Sequence, residues 1–156
     1  TPLPPLPHAT CRATACVLNG RLYVMGGPLC DKLQVLEMSE ENGFSWTVKA
    51  ELSAQRYLAG SLVHEGRLWL IGGIVNYQPS SSVAIYDIDA DSWGAGPELP
   101  LAAFGICATT LNGEVYFTGT GADQGQSTWI YRNAMWERLP GGPGVDSSTF
   151  ASVILG

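Results

Sequence analysis

The acidic residues of one short stretch could bind calcium, but the spacing is incomplete. Asp87, Asp89 and Asp91 occupy the first, third and fifth positions of a calcium-binding loop, and Glu98 falls at the twelfth. The sixth position is Ser92, where the sharp turn of such a loop requires glycine, and no helix is expected on either side. We therefore interpret this stretch as an acidic turn that faces solvent.

Two other groups of residues could carry chemistry, and both lack the required pattern. His8, Cys11 and Cys16 are zinc-ligand types, but their spacing matches no common zinc site and a second ligand pair is missing. The stretch GTGADQG (119–125) lacks the glycine spacing and the following helix of a phosphate-binding loop. No nucleophile signature accompanies His8 and His64. The sequence therefore predicts no catalytic residue, no metal and no cofactor.

The composition limits the classes of partner. The chain has 156 residues, 8 basic and 14 acidic side chains, and a net charge of −6, without any cluster of Lys or Arg. We therefore expect no nucleic-acid partner, and no apolar run approaches the roughly 20 residues of a membrane span. Charged residues make up 14% of the chain, below the roughly 25% that is usual. Either a glycine-rich β fold or a surface covered by other proteins would explain this.

The four cysteines, Cys11, Cys16, Cys30 and Cys107, form no CxxC pair. Cys11 and Cys16 would point to opposite faces of a strand, which disfavours a disulfide between them. We interpret all four as reduced, small apolar residues. This interpretation weakly favours a reducing intracellular compartment, and nothing else in the sequence indicates the location.

A phrase of nine residues recurs along the chain. Its copies are NGRLYVMGG (19–27), EGRLWLIGG (65–73) and NGEVYFTGT (112–120). A tryptophan follows in each copy, at Trp46, Trp93 and Trp136. A repeat period of 20–50 residues indicates a solenoid, a propeller or an array.

The residue pattern within each copy predicts four short strands. In the second copy these are LAGSLVH (58–64), RLWLI (67–71), VAIYD (83–87) and SWGAG (92–96). β-Branched and aromatic residues at period two, separated by Gly, Asn, Asp and Pro, are typical of strands and turns. No segment has a sustained helical period. The sequence therefore predicts an all-β fold.

These features together resemble the kelch repeat over nearly the whole chain. The second copy matches best, with GRLWLIGG, YDIDADSW and Arg56 where the family often has an arginine. Thr10 stands at that position in the first copy, and the third copy has TGTG in place of IGG. The resemblance implies a kelch-type β-propeller segment of four-stranded antiparallel blades. The implied blades cover residues 4–51, 52–99 and 100–142, and residues 145–156 would supply the first strand of a fourth.

The resemblance implies that the recurring glycines and tryptophans have a structural role. These landmarks are Gly26, Gly27, Trp46, Gly72, Gly73, Trp93, Gly119 and Trp136. We expect the glycines to let a crowded chain turn without a side chain. Each tryptophan should bury a large surface against a neighbouring sheet.

Three blades and one strand cannot close a propeller ring, which usually has four to eight blades. Three explanations stay open: the chain is part of a longer propeller, a second copy or a partner completes the ring, or other proteins cover an open stack. In each case the unpaired apolar faces require a neighbour.

The resemblance implies a non-catalytic module that binds a protein partner through loops at the propeller mouth. The expected contact residues are Arg56, Tyr57, Tyr77, Gln78, Phe104, Asp123 and Gln126. One alternative is a structural subunit whose open blades pack on neighbouring chains of a large assembly. A third hypothesis is an enzyme, since the kelch-like propellers include copper radical oxidases and a sialic-acid mutarotase.

Overall fold

The computed structural model describes residues 2–122 and 125–140, which form 15 strands and no helix. The first sheet contains β1 (Thr14–Leu18), β2 (Arg21–Met25), β3 (Leu33–Ser39) and β4 (Gly43–Lys49) in that order. The following strands are β5 (Arg56–Tyr57), β6 (Gly60–His64), β7 (Arg67–Ile71), β8 (Ile74–Val75), β9 (Gln78–Pro79), β10 (Val83–Asp87) and β11 (Ser92–Ala95). The last sheet contains β12 (Ala103–Leu111), β13 (Glu114–Gly121), β14 (Gln126–Arg132) and β15 (Met135–Arg138) in that order.

The middle part of the chain forms two sheets. Strands β6, β7, β10 and β11 make the second four-stranded sheet, and β5, β8 and β9 make a small three-stranded sheet beside it. All strand pairs are antiparallel. The predicted all-β fold with three four-stranded antiparallel sheets is confirmed. The predicted extra strand in 145–156 lies outside the described residues, and the blade boundaries stay predictions.

The first turn of each four-stranded sheet has the same geometry. Each turn contains two residues with positive φ: Asn19–Gly20, Glu65–Gly66 and Asn112–Gly113. Such turns match the right-handed twist of the strands that they connect, and glycine adopts the second position without strain. The two-residue turn also fixes the strand register. This geometry explains why the repeated phrase begins with Asn-Gly or Glu-Gly.

The apolar core lies between the sheets. Strand β7 is central because its successive side chains point to opposite faces. Leu68 and Leu70 pack against the first sheet, around Tyr23. Trp69 and Ile71 pack against the third sheet. The second sheet is therefore covered on both faces, whereas one four-stranded sheet alone could not bury its apolar residues.

The three recurring tryptophans make the same hydrogen bond. The indole N–H of Trp46 donates to the backbone oxygen of Pro4 at 2.9 Å, and that of Trp93 donates to Ala50 at 2.9 Å. Trp136 donates to the oxygen of Pro97 at 3.4 Å. In each case the last strand of a sheet holds the segment that leads into the first strand of the same sheet. The rings of Trp93 and Trp136 also pack against the apolar core.

The paired glycines allow the backbones of neighbouring sheets to approach closely. A Cβ atom on Gly72, where φ is +54°, would lie 2.7 Å from the oxygen of Ala103 in the next sheet. The N–H of Gly73 donates to that same oxygen at 2.8 Å. The first pair (26–27) approaches Arg56 in the same way, with an N–H···O distance of 2.7 Å. A side chain at the first glycine would separate the sheets.

The third copy differs at this point. Gly119 lies inside β13, and the chain does not turn there, because β13 continues to Gly121 and pairs with its neighbours on both sides. A Cβ atom on Gly119 would lie 2.9 Å from Cγ1 of Ile106, so the position still favours a residue without a side chain. In the third copy the TGTG sequence therefore continues strand β13, whereas in the first two copies the strand ends before the glycine pair.

Alanine substitutions at two glycines separate backbone strain from the clash between sheets. Gly66→Ala places alanine at positive φ in open space, so we expect a loss of about 1–2 kcal/mol in unfolding free energy. Gly72→Ala adds the clash with Ala103 and Ile106, which should cost about 1–3 kcal/mol more. Urea unfolding measures both variants. Equal losses would contradict the close approach of the sheets.

Candidate partner-binding surface

The loops predicted to bind a partner lie at one end of the sheets. Strands alternate in direction, so the loops after β2 and β7 lie at the same end as the segments that lead into β1, β6 and β12. We call this end the mouth and define it by the loops 26–32 and 72–82 and the lead-in segments 4–13, 50–59 and 97–102. The two-residue turns of the repeated phrase lie at the opposite end.

Tyr77 projects from the mouth on a short hairpin. Asn76 and Tyr77 form the turn between β8 and β9, with φ of 50° and 63°, while Val75 and Gln78 pair across it. The side chain of Tyr77 is 81% exposed. Positive φ is uncommon for a bulky residue, so the surrounding structure must hold this turn in place. The aromatic ring of Tyr77 is thus exposed on a turn whose backbone conformation is strained.

Leu29 occupies the corresponding loop of the first sheet and is 86% exposed. Among the described residues, Leu29 and Tyr77 are the two most exposed large apolar side chains. Leu29 was not among the predicted contact residues. The signal was present in the sequence, because this leucine follows the glycine pair and Pro28, where no strand is expected. Each of the two loops thus exposes one large apolar side chain at the mouth.

Arg56 is buried at the base of the hairpin loop rather than displayed at the surface. Its side chain donates from Nη1 to the oxygens of Gly72 and Ser82, at 2.7 and 3.0 Å, and from Nη2 to the hydroxyl of Ser82 at 2.7 Å. The residue is 8% exposed. Burial lowers the pKa of Arg56 to about 10, which leaves it charged at neutral pH. Direct contact between Arg56 and a partner stays a prediction, and the burial of its side chain argues against it.

The other predicted contact residues fall into two groups. Tyr57 and Gln78 belong to the small sheet that carries Tyr77; Tyr57 is half-buried and Gln78 is exposed. Phe104 and Gln126 lie in one row across the third sheet, because both pair with Thr120. Asp123 lies outside the described residues. The structure therefore brings together two clusters, one on the hairpin and one on the third sheet.

The acidic turn at the opposite end uses its carboxylates internally. Asp87 Oδ1 accepts from the N–H groups of Asp89 and Ala90, at 3.1 and 3.0 Å. Asp91 Oδ1 accepts from the N–H of Ala50 and from the hydroxyl of Tyr86. The bond from Ala50 is the main cause that holds the pKa of Asp91 below its usual value. Asp91 therefore ties the second sheet to the segment that follows the first.

Residues 2–122 and 125–140 contain no group of three or more metal-ligating side chains. In the same ranges no helix is long and apolar enough to cross a membrane. The four cysteines are free. Burial raises the pKa of the Cys16 thiol to about 11, so this thiol is protonated and unreactive at neutral pH.

Stacked four-stranded antiparallel sheets with this order define the blades of a β-propeller. The Kelch motif matches residues 55–100. Kelch-like protein 40 of Xenopus tropicalis is 25% identical over 138 residues, which cover 85% of this chain and 22% of that protein. The chain therefore belongs to the kelch-repeat family, and it spans about a fifth of the length of the curated relatives it matches.

Two solved structures have similar folds. The structure of YjhT aligns with a TM-score of 0.76 at 18% identity, covering 90% of this chain and 54% of YjhT. A fungal alcohol oxidase of the AA5 family, in complex with copper, aligns with a TM-score of 0.61 at 15% identity. That alignment covers 72% of this chain and 27% of the oxidase. At these identities the likeness concerns the fold alone.

Arg56→Lys tests the structural role of the guanidinium. A lysine cannot donate to Gly72 and Ser82 in the same fork geometry, so at least one buried acceptor loses its partner. We expect a loss of about 1–3 kcal/mol in unfolding free energy, measured in urea. Arg67→Lys is the control, because Arg67 is exposed and its ion pair with Asp87, at 3.3 Å, lies at the surface, which predicts a change below about 0.5 kcal/mol. Similar losses in both variants would contradict the role of Arg56.

Proposed function

We propose that this chain is a non-catalytic protein-interaction module whose partner binds at the mouth. One observation carries the proposal: Leu29 and Tyr77 are exposed by 86% and 81% on the corresponding loops of adjacent blades. Exposed loops on a rigid scaffold are common sites of function. The membership of the kelch family and the match to a Kelch-like protein support the same conclusion.

The hairpin is suited to binding because its conformation is fixed before a partner arrives. The N–H of Ser80 donates to the oxygen of Gly73 at 2.9 Å, and Arg56 holds the carbonyl groups at both ends of the loop. A side chain that is already positioned loses less entropy on binding. Tyrosine also combines a large apolar ring with a hydroxyl, which makes it a frequent hot-spot residue.

We propose different roles for the contact residues at the mouth and on the neighbouring end of the third sheet. Tyr77 is the anchor, and Leu29 provides a second apolar contact on the adjacent blade. The flanking contacts are Tyr57, Gln78, Phe104, Asp123 and Gln126. Arg56 supports the loop from within, so its substitution should weaken binding indirectly, through the position of Tyr77. The partner should present an apolar surface able to accept a tyrosine ring.

Affinity capture followed by mass spectrometry tests this surface. Tyr77→Ser should reduce the recovery of the partner by about tenfold or more, since loss of a hot-spot residue costs about 2 kcal/mol or more. Leu29→Ser should reduce it less. Neither substitution removes a buried contact, so both variants should unfold at the wild-type urea concentration.

Met135→Ser is the matched control for this experiment. Met135 is 61% exposed and is the first residue of β15, next to the turn from β14, at the end of the blades opposite the mouth. Its substitution should leave capture unchanged. A partner lost with Met135→Ser and retained with Tyr77→Ser would refute the assignment of the mouth.

A structural subunit of a larger assembly is the second candidate. The outer face of the first blade exposes several apolar side chains: Val17 at 63%, Met38 at 70%, Phe44 at 49% and Val48 at 43%. The corresponding face of the second blade is packed against the first. Size exclusion with light scattering distinguishes the candidates. Aggregation, or recovery only in a large particle, favours the subunit, and a cooperative monomer favours a free interaction module.

An enzyme is the third candidate, favoured only by the likeness in fold to a copper-containing oxidase. Elemental analysis of the natively purified protein tests whether the chain is a copper-containing enzyme. Stoichiometric copper would support it and would count against a purely non-catalytic module.

A further inference from the structure

The segment that leads into β1 has an unusual composition. Residues 2–7 read PLPPLP, so each residue is either a proline or directly precedes a proline. Proline fixes φ near −65°, and the residue before a proline avoids the helical region. Together these restrictions favour the polyproline II conformation, which has three residues per turn and no internal hydrogen bonds. The described residues 2–10 form neither strand nor helix.

The first blade holds this segment in a fixed position. The indole of Trp46 donates to the oxygen of Pro4 at 2.9 Å. The side-chain amide of Gln34, which is fully buried, accepts from the N–H of His8 at 2.8 Å and donates to its oxygen at 3.0 Å. On the side of the segment, these three bonds involve only backbone atoms, so none of them involves a proline ring. The blade therefore holds the backbone of the segment at Pro4 and at His8.

The outward side of this segment is apolar. Pro2 and Pro5 lie three residues apart, and both are exposed. Leu3 between them is 55% exposed. Pro4 and Leu6 are half-buried, consistent with the bond of Pro4 to the blade, and Pro7 is exposed. We call the two prolines in PxxP spacing, Pro2 and Pro5, together with Leu3 the apolar edge.

The lead-in segments of the other two blades lack this apolar edge. The tryptophan bonds to Pro4, Ala50 and Pro97 align the three segments. In this alignment, Glu51 and Glu98 stand where the first segment has Pro5. The third segment also contains a PxxP spacing, Pro97–Pro100, but it carries an acidic residue at the outward position. The apolar edge is therefore specific to the first segment.

We propose that residues 2–7 are a docking site for a polyproline-recognition domain, one whose groove is lined by aromatic side chains. Domains of this class, such as SH3, WW and EVH1 domains, bind PxxP segments in the polyproline II conformation. Because the blade has already ordered the segment, binding loses little conformational entropy. The site is separate from the hairpin of Tyr77 and does not depend on the partner binding proposed for that hairpin.

Isothermal titration of the full chain against a panel of purified SH3, WW and EVH1 domains tests the proposal. At least one domain should bind, and Pro2→Ala with Pro5→Ala should weaken its binding by about tenfold or more. The control is Pro100→Ala, which alters the exposed proline of the third lead-in segment and should leave the affinity unchanged. Thermal unfolding of both variants should match that of the wild type, since Pro2, Pro5 and Pro100 are all exposed.

Two results would overturn the proposal. One is the absence of binding by every domain of the panel. The other is binding that the Pro2→Ala and Pro5→Ala variant retains, or that Pro100→Ala weakens equally. Binding that is weakened only by the Pro2→Ala and Pro5→Ala variant, and that Tyr77→Ser leaves unchanged, supports a docking site distinct from the Tyr77 hairpin.

Discussion

The close backbone approach between neighbouring blades is the constraint on which the structure depends. At each glycine pair of the first two blades, an N–H donates to a carbonyl of the segment leading into the next blade, at 2.7 Å for Gly27 and 2.8 Å for Gly73. This contact is possible only because no side chain separates the two backbones. It sets the distance between the sheets, and the apolar residues of β7 fill the space that it defines.

The same contact connects the fold to the proposed function. It lies at the mouth, directly beneath the loops that carry Leu29 and Tyr77. Arg56 strengthens the connection, because its backbone oxygen accepts from Gly27 while its side chain binds the loop after Gly73. One residue thus joins the blade interface to the base of the hairpin. A rigid base explains how Tyr77 keeps a conformation that an isolated loop would seldom adopt.

The repeat made the fold predictable, because strand alternation, turn glycines and tryptophans recur in register. The site was less predictable. The sequence predicted Arg56 as a surface contact, and only the folded structure brings it within reach of Gly72 and Ser82. Asn76 is a residue type that tolerates positive φ, but nothing local predicts that Tyr77 adopts it too. The extension of β13 through Gly119 depends equally on its neighbouring strands.

Amide hydrogen exchange at Gly27 and Gly73 tests the central claim, that contacts between blades hold the mouth rigid. The account predicts that both amides exchange as slowly as those of the central strands β7 and β10, because each opens only when the blades separate. Fast exchange of both glycine amides, with the strand amides still protected, would contradict it. The two glycine contacts would then not hold the blades together, and the loops at the mouth would lack a rigid base.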